Sequence, residues 1–357
     1  MTTDSTVAIA AIGMTTPVGL TAQQSCAAVR AGISAMAELD FTIVNEEFDE
    51  VPVIGCAIPP VTDGYAGLGR WTRLATAALR DMIEQSGLSG AQLDSAALYL
   101  ALPPLGREGF DARIGERLGV RVASVLELDG LAHRTFVYPF GHAAGARACQ
   151  DAIAQVAAGT IERAIVCGVD SLLEPDTLEF FLGKRRLKTG DVVDGFVPGE
   201  AAACMLFERR GRLEARGARA VSIIEAANVA IEPISIWSAD PSPSTGLTDA
   251  IRGTFAQVGD VWHDTKLVVC DLNGETYRSK EYGTVAARVL SVIPNSYALW
   301  HPADCIGDTG AASFVVSMCV AARALGRGYA KSNRALIFGS SDDGLRGAVS
   351  LTRAMEA

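Results

Sequence analysis

The segment PFGHAAGA, residues 139–146, returns in altered form as CIGDTGAA, residues 305–312. Each copy places a glycine, a polar residue and then a string of small residues at the opening of an apolar segment, with His142 in the first and Asp308 in the second. The runs that follow, AAGARACQDAIAQVAAG and TGAASFVVSMCVAARALG, are apolar or small on nearly every face. That pattern predicts helices buried inside a layered protein rather than laid on its surface. Further on, IERAIVCGVDS (161–171) and SNRALIFGSSD (332–342) each read as a buried strand ending at a glycine and a polar turn. Asp170 lies 28 residues after His142, and Asp342 lies 34 after Asp308. Two ordered matches at comparable spacing make internal duplication the first structural expectation.

Each half also opens with an apolar strand, VAIAAIGMTTPVG (7–19) and TKLVVCDLNGETY (265–277), and closes with another, GEAAACMLFE (199–208) and LRGAVSLTR (345–353). Strands alternating with buried helices imply an α/β layer fold built twice. The charged, glycine-punctuated stretch RRGRLEARGARA (209–220) is the expected boundary. At 357 residues and 49% hydrophobic, the chain is long enough to bury a large core. A formal charge of -10 with no long basic patch argues against a nucleic-acid partner. The start lacks a signal-peptide pattern, and no run reaches the roughly 18 apolar residues of a membrane span. A soluble, cytoplasmic protein is therefore expected. The eight cysteines, at 26, 56, 149, 167, 204, 270, 305 and 319, show no CxxC pair and have mostly apolar neighbours. They read as buried free thiols rather than disulfide or zinc partners.

Several stretches carry a family resemblance. VAIAAIGMTTPVGLTAQQSCAAVRAGIS is similar to the first strand, turn and helix of the β-ketoacyl synthases of the thiolase superfamily. CGVDSLLEPDTLEFFLGKRRLKTGDVVDGFVPGEAAACMLFER (167–210) resembles that family's strand, long loop and Gly-Phe-Val-x-Gly-Glu-Gly-Ala segment, with Ala201 at the second Gly of the pattern. CIGDTGAAS is similar to the Gly-His-x-x-Gly-Ala-Ala motif, and IFGSSDDGLRGAVSL to the C-terminal Gly-Phe-Gly-Gly stretch. The resemblance spans nearly the whole chain, although several middle segments are short. It implies an α/β, thiolase-like fold of duplicated βαβαβαββ halves in a five-layer αβαβα arrangement, with halves at residues 1–210 and 219–357. It also implies that the two buried helices point their N-termini at one site, where free N–H groups and a partial positive charge favour thiolates and oxyanions.

The catalytic set that the resemblance implies is absent. His142 falls on the nucleophilic Cys position, Asn273 on the first His by way of the shared Gly274, Asp308 on the second His, and Ala303 on a Lys. Cys149 lies two turns into the helix and does not reach the nucleophile position. An imidazole at 142 does not hold a stable thioester-like acyl group. A carboxylate at 308 puts negative charge where an oxyanion or enolate needs stabilising. Claisen condensation is not expected. Two roles stay open for His142, Asn273 and Asp308: a general-base or hydrolytic pair, or a self-neutralising pair that fills a dead pocket. A metal held by His142, Asp308 and Glu275 has no spacing signature behind it, and no cofactor is implied.

GKRRLKTGD (183–191) brings four cations, read either as a solvated loop or as a dock for an acidic carrier or partner. DLNGETYRSKEYG (271–283) is dense in polar groups after a buried strand, which makes Glu275, Tyr277 and Arg278 candidates for a cavity rim. His133, His263 and His301 belong to no constellation. RTFVYPF (134–140) is an apolar strand where synthases of this fold pair two subunits, so a homo- or heterodimer is expected. The expected role is binding: a chain-length-factor-like partner of an active ketosynthase or acyl carrier protein, or an accessory adaptor for a bacterial secretion effector, to which the DLNGETYR stretch bears some likeness. The rival is an acyl-thioester hydrolase or decarboxylase with His142 as base.

Overall fold

The structure is a computed structural model that describes residues 5–293 and 296–354. The outermost ends of the two expected halves, residues 1–4 and 355–357, lie outside the described residues. The first set of elements runs β1 (Val7–Thr15), α1 (Ala22–Ala31), a hairpin of β2 (Ala37–Val44) and β3 (Glu50–Gly55), α2 (Gly67–Ser86), β4 (Ala97–Leu102), α3 (Ala112–Leu126), β5 (Thr135–Pro139), α4 (Ala144–Ala158), β6 (Arg163–Ser171), α5 (Pro175–Gly183) and β7 (Glu200–Arg209). The second runs β8 (Ser222–Ile231), α6 (Thr245–Val258), β9 (Thr265–Cys270), α7 (Thr276–Arg288), β10 (Ala298–Trp300), α8 (Ser313–Gly326), β11 (Arg334–Ser340) and β12 (Leu345–Thr352).

Strand order repeats with the elements: β5-β4-β6-β7-β1 in one set and β10-β9-β11-β12-β8 in the other. The sets are joined by antiparallel pairing of β1 and β8 over Val7–Ile224, Ala8–Ile223 and Ile9–Ser222. Hydrogen bonding is thus continuous across ten strands. Because α4 packs on β6 and β4 of one set and on β8 and β12 of the other, the sheet folds back around the central helices, giving the layered αβαβα stack.

The period of two along each strand sorts side chains into layers. In β6, Ala164 and Val166 face the central helices while Ile165 and Cys167 face α2 and α3. In β9, Leu267 and Val269 face inward while Val268 and Cys270 face α6 and α7. Strands buried on both faces read as continuous apolar runs, and these do. The central helices are built for close approach. A Cβ on Gly145 of α4 would lie 2.8 Å from Val315 Cγ2 and 3.1 Å from Phe314 Cβ of α8, so only glycine lets the two helices meet there.

Both central helices begin with a single 3₁₀ turn, Gly141–Ala143 before α4 and Gly310–Ala312 before α8, each opened by a glycine at positive φ (+73° and +51°). The echo read from the sequence is therefore real for the helices but shifted for the polar residues. Gly141 corresponds to Gly310, so His142 sits inside its turn while Asp308 precedes the other turn by two residues.

Candidate functional site

The two helix starts are held by strand ends from the opposite halves. Ala143 N–H donates to Ser341 Oγ (2.8 Å), just beyond β11, and Ala311 N–H donates to Asp170 Oδ2 (2.8 Å), at the end of β6. A Cβ on Gly310 would lie 2.0 Å from that same Asp170 oxygen. The Gly-Phe-Val-Pro-Gly-Glu segment places Asp308: its N–H donates to the Val197 carbonyl (2.7 Å), and its carbonyl accepts from Gly199 N–H (2.8 Å). Glu200 in turn accepts from Ile58 N–H, Thr62 Oγ1, Arg70 Nε and Ser171 Oγ. That glutamate is a buried tie rather than a reacting group.

Within this frame His142, Asn273 and Asp308 converge. His142 Nε2 lies 2.8 Å from Asp308 Oδ1, which also accepts from Gly310 N–H at 2.8 Å. Asn273 Nδ2 donates to Asp308 Oδ2 (2.6 Å) and to Glu275 Oε2 (3.0 Å), and its Oδ1 accepts from Glu275 N–H (3.1 Å). His142 is 8% exposed and Asp308 4%. Burial pulls the His142 pKa down, yet the Asp308 carboxylate outweighs it and holds the imidazole above its usual 6.5. Burial likewise opposes ionisation of Asp308, but His142, Arg278 and Asn273 together hold its carboxyl well below the usual carboxylate range. Each shift favours the charged form of its group, imidazolium for His142 and carboxylate for Asp308.

The pair belongs to a larger network. Arg186 donates from Nε to Glu275 Oε1 (2.6 Å) and from Nη1 to Asp342 Oδ2 (2.7 Å). Arg278 bonds Asp271 (2.5 Å), the Ser340 carbonyl (2.6 Å) and Asp342 (3.3 Å). Against burial, Arg186, His142 and Arg278 hold the Asp342 carboxyl down at about 2. Arg186, Arg278 and the His142 imidazole thus face the four carboxylates of Asp271, Glu275, Asp308 and Asp342; Asp308 and Asp342 favour the imidazolium while Arg278 opposes it. The Arg186 guanidinium also lies 5.0 Å from the Trp237 ring centroid and 5.1 Å from that of Phe181.

Several expectations change here. Glu275 and Arg278, read as cavity rim, are buried at 5% and 3% exposure and turned into the network. Tyr277 is half-buried away from the site, donating to the Ile234 carbonyl and accepting from Arg346. Arg186, read as one of four loop cations, is a buried counter-ion, while Lys184, Arg185 and Lys188 beside it are exposed. In the structure Arg186 precedes the buried Leu187, in a loop that follows Phe180 and Phe181. His301 pairs with Asp304 (2.7 Å) and His263 stacks on Trp262, both outside the network. Cys149 is fully buried against Met318, its thiol pushed well above its ordinary pKa by desolvation. All eight cysteines are free and buried.

Space at the site is divided. Around Asn273, Ala303, Asp308 and Val316 only about 10 Å³ remains, about the room of one water. On the other side of His142 a cavity of about 210 Å³ is lined by Arg107, Asp170, Phe180, Phe181, Trp237 and Asp342. An apolar cleft of about 520 Å³ between the β2–β3 hairpin and the 188–191 loop reaches Asn273 from outside. Among the described residues no cluster of three or more His, Cys, Asp or Glu side chains is arranged to hold a metal ion, and no helix is long and apolar enough to cross a membrane.

No protein-family model and no curated protein matches this sequence. Solved structures do match. The ishigamide ketosynthase/chain length factor superposes with a TM-score of 0.77 at 16% identity, over 98% of this chain and 99% of that one. A type II polyketide synthase acyl-carrier protein in complex with its ketosynthase, bound to the hexaketide, gives 0.80 at 11% identity, over 98% and 99%. A ketosynthase from module 6 of the bacillaene synthase of Bacillus subtilis 168 gives 0.81 at 14% identity, over 98% of this chain and 72% of that one. With strand order, duplicated helix starts and near full-length superposition agreeing, the chain has the thiolase-like fold of the ketosynthases.

Proposed function

We propose that this protein is a ketosynthase-fold subunit without condensing activity, acting through binding as the partner of a second chain of the same fold, in the manner of a chain length factor. One observation carries the reading: the His142–Asp308 ion pair, tied to Asn273, Glu275 and Arg186, stands where the resemblance implies the Cys-His-His set. Asp308 favours the imidazolium form of His142, and in that form neither ring nitrogen keeps a lone pair for nucleophilic attack or general-base work. This weighs against the hydrolase or decarboxylase alternative, and Asp308 opposes any oxyanion beside it. The edge strand β5 supports the pairing. Among the described residues it is bonded only to β4, and it leaves Phe136 and Val137, with Phe140 just beyond its end, at 50%, 38% and 43% exposure.

The test joins turnover and mass. Purified protein is expected to release no free thiol from acyl-CoA or acyl-carrier thioesters, to form no β-ketoacyl product, and to run as a dimer, alone or with its partner, in sizing with light scattering. A Phe136→Lys, Val137→Lys double variant is expected to shift that dimer to monomer. His142-dependent thiol release would overturn the binding reading, and a wild-type monomer that captures no ketosynthase or acyl carrier would overturn the pairing. Affinity purification that returns a secretion effector instead would favour the adaptor role.

A further inference from the structure

A second charged feature lies at the far end of the central helix α8. From Ser313, beside the site, to Gly326 the helix spans about 20 Å at 1.5 Å per residue, so its C-terminus opens on a different face. There a groove of about 630 Å³ runs between the inter-half connection, the end of α8 and the end of β12. Arg210, Arg219, Arg323, Arg327 and Arg353 line it, and among the described lining residues Glu214 is the one carboxylate. Its floor is apolar, made by Leu213, Ala218, Ala220 and Val221. Arg210 is paired with Glu214 at 2.7 Å. Arg219 has a partner as well, while Arg323, Arg327 and Arg353 have no salt bridge among the described residues. A shallower cavity adjoins, sharing Arg323 and Arg327 and adding Arg30, whose guanidinium lies 4.4 Å from the Tyr329 ring centroid.

This concentration of cations runs against the chain's charge of -10. Basic residues near a helix C-terminus complement its dipole, which accounts for Arg323 and Arg327. It does not account for Arg353, brought to the same groove just past β12. Three guanidinium groups without a carboxylate partner lining one concave surface raise the local positive potential, which favours an anion there. The volume falls in the small-ligand range. A single carboxylate leaves most of the charge unmatched, and an acidic peptide spreads its charges over a longer path than the groove offers. A compact ligand with two or three linked phosphates matches both the volume and the charge. Planar guanidinium forks engage such oxygens in bidentate pairs.

We propose that this groove binds a pyrophosphate-bearing small molecule of the nucleotide class, held by Arg323, Arg327 and Arg353 over the apolar floor. The site is separate from the His142 network, and the proposal stands or falls independently of the partner-subunit reading. The experiment is calorimetric titration of the full chain with sodium pyrophosphate and with ATP, against sodium sulfate at equal ionic strength. Saturable binding of both phosphates is expected, with sulfate weaker. An Arg327→Gln, Arg353→Gln double variant is expected to weaken binding by about tenfold or more. Both residues are exposed, so its thermal melt is expected to match the parent. Arg121→Gln, exposed on α3 outside the groove, is expected to bind as the parent does. The proposal is overturned by absence of saturable binding, by undiminished binding in the double variant, or by polyglutamate binding more tightly than either phosphate.

Discussion

Replacing Asp308 by Asn removes one charge and almost no volume, and its cost follows from the three hydrogen bonds Asp308 accepts from side chains and turn. Oδ1 takes His142 Nε2 and Gly310 N–H, and Oδ2 takes Asn273 Nδ2. A carboxamide has a single acceptor oxygen, so in either orientation its NH₂ group faces a buried donor. Leaving such a donor unpaired costs about 1–3 kcal/mol, and stranding a buried charge raises the loss to about 3–5 kcal/mol. His142 avoids part of that by giving up its proton, which makes the loss depend on pH. In the wild type the folded imidazole holds its proton more tightly than the unfolded one. Its contribution is therefore complete below pH 6.5 and fades as pH rises through the raised folded value. The contribution of Asp308, whose pKa is depressed, is complete above the ordinary carboxylate range and lost only in acid. In the variant, burial and Arg278 push the imidazole below 6.5, so folding expels a proton. The deficit then grows as pH falls, by up to about 1.4 kcal/mol per unit. Urea unfolding of both proteins is expected to show a deficit of about 3–5 kcal/mol at pH 5.5 and about 1–3 kcal/mol at pH 8.5. A deficit equal at the two pH values would show His142 neutral in the folded protein and refute the ion-pair argument.

Arg186→Met is expected to lower stability by about 3 kcal/mol, because it removes the closer of the two guanidinium groups that Glu275 and Asp342 share and leaves only Arg278, at 3.7 and 3.3 Å. Thermal melts followed by circular dichroism check this, and an unchanged midpoint would remove Arg186 from the network. The thiols are expected to be inert in the native state. Burial pushes Cys26, Cys56 and Cys167 up to about 12, and Cys305 upward as well. Native protein at pH 8 should release almost no chromophore from an aromatic disulfide reagent, whereas denatured protein should release eight equivalents. Fast stoichiometric reaction of one native cysteine would contradict the burial argument.

The parts of this molecule that were legible in its sequence are those governed by local pattern. Apolar character on nearly every turn marked α8 as a central helix, and small residues through the first turns of α4 marked its buried start, because a segment covered by sheet on both sides can dispense with a polar face. The continuous apolar runs of β6 and β9 marked strands covered on both faces in the same way. Pairwise electrostatics left no such trace. Arg186 meets Glu275 across 89 residues and Asp342 across 156, so its loop composition read as solvated charge. Glu275 and Arg278 were noticed as polar residues after a strand, but a rim and a buried counter-ion layer have the same composition. Their difference is orientation, set by α7 beginning at Thr276 and turning both side chains toward Asp342 and Arg186. The register of the echo was also hidden, since Gly307 and Gly310 both take positive φ and either one could have been the counterpart of Gly141.

That register explains why the site is an ion pair rather than two separate polar residues. Because His142 lies inside its turn and Asp308 precedes its own, the two side chains approach across the pseudo-symmetric interface instead of occupying equivalent, mutually distant positions. The strand ends cross over to the opposite helix starts, Ser341 to Ala143 and Asp170 to Ala311, so each half's turn is completed only when the other half is present. Charge then closes the same seam: His142 and Arg186 come from the first half, and Asp308, Glu275 and Asp342 from the second. A seam of this kind gains stability from protonated His142 and ionised Asp308, the two states least suited to base catalysis and oxyanion binding. Under the proposed reading, the interactions that lock the halves together are the ones that oppose condensing chemistry.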